Sequence, residues 1–275
     1  MTETERLREQ LKRLTLHTMA SMFEVEAEKA SKSQTSYTAF LAKLVDEEMV
    51  AKTDRSINAR IAKAKFPAIK TIEAFDFDFQ PGLSQRRFRE LAALGFLDQA
   101  TNVVLAGPPG TGKTHLAIAL GLKACQAKKR VLFTQTASLL DHLVAATVDR
   151  SLVKTLDSLS RLHLLICDEL GYMPMDRQRA NLFFQLISSR YEKGSTIVTT
   201  NKAFDRWGQV FGDDVIASAI LDRLLHHSEL FVINGPSYRI KDKLSAVQTP
   251  AEHHKQTAGA DAQQDQGSQS EKKDI

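Results

Sequence analysis

Eight consecutive residues, Gly107-Pro108-Pro109-Gly110-Thr111-Gly112-Lys113-Thr114, fit the phosphate-loop pattern G-x-x-x-x-G-K-[ST] at every fixed position. The glycines of such a loop let successive backbone N–H groups turn inward on phosphate oxygens. The helix behind it, opening here through His115, adds the positive end of its dipole. Lys113 would reach the β- and γ-phosphates of a nucleoside triphosphate, and the Thr114 hydroxyl would take a coordination position on Mg2+. About fifty-five residues further on, Asp168 and Glu169 follow the apolar run Leu164-Leu165-Ile166-Cys167. Asp168 can hold Mg2+ through its water shell, and Glu169 can polarise the water that attacks the γ-phosphate. A carboxylate that activates water points away from small-molecule kinases, which must exclude it. Asn201 closes the string Thr199-Thr200-Asn201, which stands at the end of a third apolar strand. It either hydrogen-bonds the γ-phosphate or attacking water, or merely initiates a turn. Arg223 lies in an amphipathic stretch beside Asp222. It is either an exposed charge or an arginine finger offered to a neighbouring subunit, a contact that contributes about 10³–10⁵ in rate.

These residues need a frame, and the apolar pattern supplies one. The loop follows the strand-like run 103–106 and precedes a segment, 115–126, that is apolar nearly all round, as a buried helix is. Strands are then expected at 131–134, 162–167, 196–200 and 230–233. Helices are expected at 138–148, where Ser138 can cap, along Ala180 to Tyr191 and at 216–227. Five apolar strands separated by helices predict an α/β fold, a parallel sheet covered on both faces. Ahead of it, residues 1–70 read as a small helical domain. Leu7, Leu11, Leu14 and Met22 recur at helical spacing, 31–36 is a polar break, and a second amphipathic segment starts near Tyr37. Pro67 should end that helix, 71–79 should be extended, and a short helix should open at Arg86.

Composition sets the outer bounds. A chain of 275 residues with 43% apolar content can bury a substantial core. No apolar run approaches the ~18 residues of a membrane span, and the charged start Met1-Thr2-Glu3-Thr4-Glu5-Arg6 is no signal peptide, so a cytoplasmic protein is expected. Cys125 and Cys167 read as buried reduced thiols. From about Thr249 to Ile275 the chain has almost no apolar content and is expected to be a disordered tail. Its five acids and three bases leave about +6 on the rest, an excess that permits nucleic acid without demanding it. Lys52, Arg55, Arg60 and Lys63 form a basic helical run, either a solvated face or a phosphate-contacting one; Arg150, Lys154 and Arg161 are further candidates. With no zinc or helix-turn-helix signature, contacts to the DNA backbone rather than base readout are expected.

The strings GPPGTGKTHLAIALG, DELGYMP, TTNKAF, ILDRLLHHS and GPSYRIK together resemble the IstB family, the AAA+ helper ATPases of insertion-sequence transposition. That family is similar to the replicative helicase loader DnaC. The resemblance covers roughly residues 1–248, so that 71–248 would be the AAA+ ATPase domain. It implies an ATP- and Mg2+-dependent homo-oligomer that assembles on target duplex DNA and recruits a partner DDE transposase of the IstA type. It casts Asn201 as a γ-phosphate sensor, Arg223 as a finger acting in trans and Arg239 as a second γ-phosphate sensor. It also implies that the region from Arg150 to Arg161 contacts DNA. Too little ordered sequence follows Ile233 for the usual helical lid, so no carboxyl-terminal lid domain is expected. A helicase loader with the same core, and a nucleotide-gated scaffold that does not hydrolyse, are the other classes; Glu169 and Arg223 argue against the scaffold.

Overall fold

A computed structural model describes residues 1–240. Its helices are α1 (Glu3–Arg13), α2 (His17–Lys32), α3 (Tyr37–Ala64), α4 (Gln85–Leu91), α5 (Gly95–Asp98), α6 (Lys113–Gln126), α7 (Thr136–Val148), α8 (Leu152–Ser160), α9 (Arg177–Arg190), α10 (Trp207–Phe211) and α11 (Asp214–Leu225). Its strands are β1 (Asn102–Ala106), β2 (Val131–Gln135), β3 (Leu164–Leu170), β4 (Ser195–Thr200) and β5 (Ser228–Val232). All five expected strands form, and they pair in parallel in the order β2-β3-β4-β1-β5.

Alternate side chains of β2, β3 and β4 enter two different cores, which is why these strands read as continuous apolar runs. Val103, Leu105, Leu164, Ile166 and Ile197 face α6, together with Ala64 at the end of α3 and Phe88 of α4. Leu165, Cys167 and Val198 face the opposite layer, built from α7, α8, α9, α10 and α11. Sandwiched between the sheet and the α3 side, α6 is buried almost all round, which explains its lack of a polar stripe. Both thiols lie in these cores. Burial pushes Cys125 up to about 11 and Cys167 up to about 12, so neither is a nucleophile at neutral pH.

The amino-terminal stripe becomes two helices, because Thr15 adopts φ 59 and breaks the chain between α1 and α2. Met19, Phe23 and Leu44 form a small core there with Leu11, Leu16, Met22 and Phe40 around it. Leu16 stands at the N-cap of α2 and cannot cap it, so Glu48 of α3 does. The Glu48 carboxylate accepts from Thr18 N at 2.7 Å, Met19 N at 2.9 Å and Arg55 Nη2 at 2.6 Å. Burial alone would raise its pKa, but these bonds outweigh burial and hold it below the usual carboxylate value. α3 ends at Ala64, with Lys65 in the left-handed region two residues before Pro67. Phe66 then packs where Gly121 leaves room on α6.

Several local expectations change. Residues 71–79 are turns rather than an extended run, held by Thr71 Oγ1 on Ala74 N (3.3 Å) and Asp76 Oδ1 on Phe79 N (3.0 Å). Helix α7 starts two residues before Ser138, behind Gln135 as N-cap. Helices α8 and α10 were not expected; both are short, and Leu152, Leu156 and Leu159 of the first and Trp207, Val210 and Phe211 of the second serve the second core. Met1–Ser237 is one compact unit, and a second begins at Tyr238, of which the short turn Tyr238–Ile240 is described. No helical lid follows β5 among the described residues. The expected disordered tail, 249–275, lies outside them.

Candidate nucleotide-binding site

The strand order puts β4 between β1, which leads into the glycine loop, and β3, which carries the acidic pair just before its last residue, Leu170. Gly107, Glu169 and Asn201 therefore meet at one carboxyl edge of the sheet, and Gly107 N donates to Thr200 O at 3.1 Å. Two loop glycines are needed as such. Gly110 (φ 82) and Gly112 (φ 93) are left-handed, and a Cβ would lie 2.0 Å from Ser237 Oγ and 2.5 Å from Phe75 Cε2 respectively. The loop is thus clasped between Phe75 and the chain following β5. Thr111 Oγ1 and Lys113 Nζ both donate to Pro108 O, at 2.9 and 2.6 Å, closing the turn through Pro108 and Pro109. Helix α6 begins at Lys113 with no side-chain cap, whereas Asp176 and Asp213 cap α9 and α11. Uncapped N–H groups behind a glycine loop suit a phosphate.

His115, in the first turn of α6, is turned away from that work. Its Nε2–H donates to Thr71 O at 2.8 Å, and its ring meets Phe75 edge-on at 5.3 Å. Burial pushes the imidazole pKa down and Lys70 adds to this, while the Thr71 carbonyl opposes it. His115 thus ties the loop helix to the 71–75 turn as a neutral ring.

Asp168 is the hub. Its carboxylate, buried near the end of β3, accepts from Thr114 Oγ1 at 2.9 and 3.1 Å and from Thr199 Oγ1 at 2.6 Å. Its own carbonyl accepts from Thr136 Oγ1 at 2.8 Å. By donating its hydrogen bond to Asp168, the Thr114 hydroxyl keeps its lone pairs for a cation, and hydroxyl plus carboxylate oxygens are the hard donors that Mg2+ prefers. The residues present therefore fit that ion. Between the pairs Cys167↔Val198 and Leu170↔Thr200, β3 has two residues and β4 only Thr199. This β-bulge puts Glu169 at φ 59 and turns its side chain out to solvent while Asp168 stays buried. Thr199 stitches the bulge: the same oxygen that donates to Asp168 accepts from Glu169 N at 2.9 Å. Nothing in the sequence singled out Thr199 or Thr136; each hydroxyl has meaning only through a partner 31 or 32 residues away.

Asn201 is exposed directly after β4, between the loop and Glu169. The turn there is made by Thr200, whose Oγ1 accepts from Lys202 N at 3.1 Å. Arg223 is elsewhere. It lies near the end of α11, five residues before β5 begins at Ser228, and Ser228 pairs with Asn102 at the start of β1. It is thus a strand length, roughly 15 Å, from the edge that carries the loop of its own chain. Its guanidinium packs 4.7 Å over the Phe184 ring, with Nη1 donating to Ala219 O at 3.1 Å. Arg239 lies in the turn Tyr238–Ile240 of the second unit.

The basic candidates divide by layer. Lys52, Arg55 and Lys63 are exposed on α3 and Arg60 is half-buried there; Arg55 is paired with Glu48. Arg150, Lys154 and Arg161 are exposed around α8, on the other face of the sheet, and Arg161 is paired with Asp157 at 2.7 Å. The two groups do not form one patch.

Residues 9–246 match the family described as IstB-like ATP binding protein. The insertion sequence IS21 protein of Pseudomonas aeruginosa, described as ATP-binding, is 47% identical over 236 residues, or 86% of this chain and 89% of that one. The corresponding IS5376 protein of Geobacillus stearothermophilus is 43% identical over 239 residues, or 87% and 95% of the two chains. Among solved structures, AMPPCP-bound DnaA from Aquifex aeolicus is similar with a TM-score of 0.52 at 21% identity, covering 69% of this chain and 59% of that one. That likeness shows the fold alone, an α/β core built on a parallel sheet.

Proposed function

This chain belongs to the IstB-like ATP-binding protein family, and from that premise we propose that it is a DNA-stimulated ATPase that serves transposition. The observation that carries hydrolysis rather than binding alone is the bulge. It buries Asp168 against Thr114 and leaves Glu169, next in sequence, facing solvent at the same edge. The loop N–H groups and Lys113 hold the triphosphate of ATP. Thr114 and Asp168 would hold Mg2+, which would supply neutralisation of phosphate charge. Glu169 takes a proton from a water whose oxygen bonds to the γ-phosphorus, and the bond from that phosphorus to the bridging oxygen breaks, leaving ADP and phosphate. Asn201 orients that water or the γ-phosphate. Arg223, a strand length from its own loop, acts on a neighbour's γ-phosphate, and Arg239 is kept as a second sensor of it.

What supports this reading of the partners is that the relatives are named as insertion-sequence proteins, which favours transposition over helicase loading. The chain assembles as a homo-oligomer on target duplex DNA in the cytoplasm, through backbone contacts from Lys52, Arg55, Arg60 and Lys63 and from Arg150, Lys154 and Arg161. There it recruits an IstA-like DDE transposase, with the helical region 1–70 as the partner-binding part of the chain and hydrolysis resetting the assembly. No helix among the described residues is long and apolar enough to cross a membrane. Phosphate release is measured with and without duplex DNA of unrelated sequences over a range of salt. Stimulation by every duplex, lost steeply as salt rises, is expected. A response to one sequence only that persists at high salt contradicts the backbone reading. In parallel, the transposase is captured on DNA with ATP or with ADP; retention independent of nucleotide contradicts the recruitment reading.

A further inference from the structure

Glu192, His226 and His227 come together at the amino edge of the sheet, far from the nucleotide loop. One carboxylate oxygen of Glu192 and one ring nitrogen of each histidine lie within 4.8 Å of one another. Successive residues inside a helix point about 100° apart and cannot share a ligand. Here α11 is ending, and the chain's entry into β5 brings the two imidazole centroids to 4.1 Å. The backbone at this point is anchored, since His227 O accepts from Asn102 N at 2.8 Å. Glu192 comes from the turn between α9 and β4, where it holds φ 58, and its Oε1 is 3.7 Å from His227 Nε2. Tyr191 completes the group: its hydroxyl is 2.8 Å from His226 Nδ1, and the two rings stack at 6.0 Å.

We propose that Glu192, His226 and His227 form a binding site for a divalent transition-metal ion of the Zn2+ class. Two imidazoles and one carboxylate are a ligand set that Zn2+ accepts with a fourth position left to water. Imidazole nitrogen selects Zn2+, Cu2+ or Ni2+ over Mg2+ and Ca2+, which ask for oxygen, so the site does not compete for the ion of the nucleotide centre. Ligand atoms around tetrahedral Zn2+ stand about 3.3 Å apart, given bonds of about 2.0–2.1 Å. Closing to that distance needs only small rotations of three exposed side chains. Tyr191 plays the outer role. With His226 Nδ1–H donating to the phenol oxygen, the tautomer is fixed and Nε2 is left to meet the ion. A plain surface ion pair would employ His227 and Glu192 alone, and leaves the second imidazole and its tyrosine unexplained. Because the site is open to solvent, the ion exchanges with the medium. It joins the end of α11 to the turn behind α9, the same two helices that Arg223 joins over Phe184.

The test uses the full chain without an affinity tag, stripped of metal. Zn2+ is titrated against a chromophoric zinc chelator, and thermal unfolding is followed with and without the ion. One ion per chain and a raised Tm are expected. His227→Ala should abolish the saturable binding, and Tyr191→Phe should weaken it about tenfold. His253→Ala/His254→Ala, which removes the adjacent histidine pair of the tail, should leave it unchanged. ATP binding by each variant, measured alongside, reports that it is folded. Absence of saturable Zn2+ binding, unchanged affinity in His227→Ala, or loss in the tail variant each overturns the assignment.

Discussion

Thr199→Val removes one hydroxyl from the centre of the site while keeping its shape. That hydroxyl, 1% exposed, donates to Asp168 Oδ1 at 2.6 Å and accepts from Glu169 N at 2.9 Å. A hydrogen bond to a charged group contributes about 1.5–3 kcal/mol, and leaving the Glu169 N–H without a partner costs about 1 kcal/mol more. The two together come to roughly 2–4 kcal/mol, divided between folding stability and the site. The left-handed Glu169 stores about 1–3 kcal/mol of backbone strain that the Thr199 bond helps to offset, so the bulge is the part that should relax. With about half of the loss falling on the transition state, kcat drops about fivefold to thirtyfold, since 1.36 kcal/mol is one decade. Asp168, held by Thr114 alone, should need more Mg2+ for half-maximal activity. Nucleotide affinity in EDTA should hold, because Lys113 and the loop are untouched. The assay is phosphate release as a function of Mg2+, beside binding of a fluorescent nucleotide without metal. Thr199→Ser, which restores the hydroxyl, should recover both parameters. Wild-type kcat and Mg2+ dependence in Thr199→Val would refute the reasoning, as would failure of the serine to rescue.

Two other outcomes are expected. Glu169→Gln keeps the shape of the side chain but cannot take the proton from water, so the variant should bind ATP and duplex DNA normally and hydrolyse at least about a hundredfold more slowly; normal turnover would remove Glu169 from its role. His115 gives a pH signature. Its folded pKa lies below the ordinary 6.5, so stability is unaffected by this group at neutral pH and above. As pH falls below about 6.5 the unfolded chain takes a proton that the folded ring refuses, and stability declines until the folded pKa is passed. Urea unfolding from pH 7.5 to 5 should show a shallower decline in His115→Gln than in the parent chain; equal slopes would mean that another group carries it.

The parallel sheet was legible because its three central strands, β3, β4 and β1, are buried on both faces, which leaves apolar runs that no surface element mimics. The loop was legible because its chemistry is local: eight adjacent residues carry it. What escaped depends on pairing across the chain. The 71–79 segment alternates Phe75, Phe77 and Phe79 with acids as a strand would. Yet its rings pack on one another and on the loop (Phe75 and Phe77 at 4.8 Å), and its carboxylates bond the local backbone. Arg190 is a further case. It is charged in sequence, yet in the structure it is buried, and no carboxylate among the described residues forms a salt bridge with it. Nε reaches Thr196 Oγ1 at 3.1 Å and Nη2 reaches Ser195 O at 2.6 Å, and burial pushes its pKa down to about 10. It ties α9 to β4, a role set by chain ends that sequence periodicity does not see. Likewise the place of Arg223 at the edge opposite its own loop emerged only from the strand register.

That distance is also the most direct test of the account, which makes each active centre the work of two chains. Lys113→Ala has a finger but no competent loop, and Arg223→Ala has a sound loop but no finger. Each alone should hydrolyse ATP slower than the parent by orders of magnitude, even with saturating duplex DNA. The measurement is phosphate release from the two variants mixed in varying ratio on DNA, with co-assembly followed in the same samples by energy transfer between labelled chains. Activity should reappear in the mixture and peak at intermediate ratios, where the Arg223 of one chain serves the loop of the next. Co-assembled mixtures that remain as inactive as the separate variants would contradict a shared site.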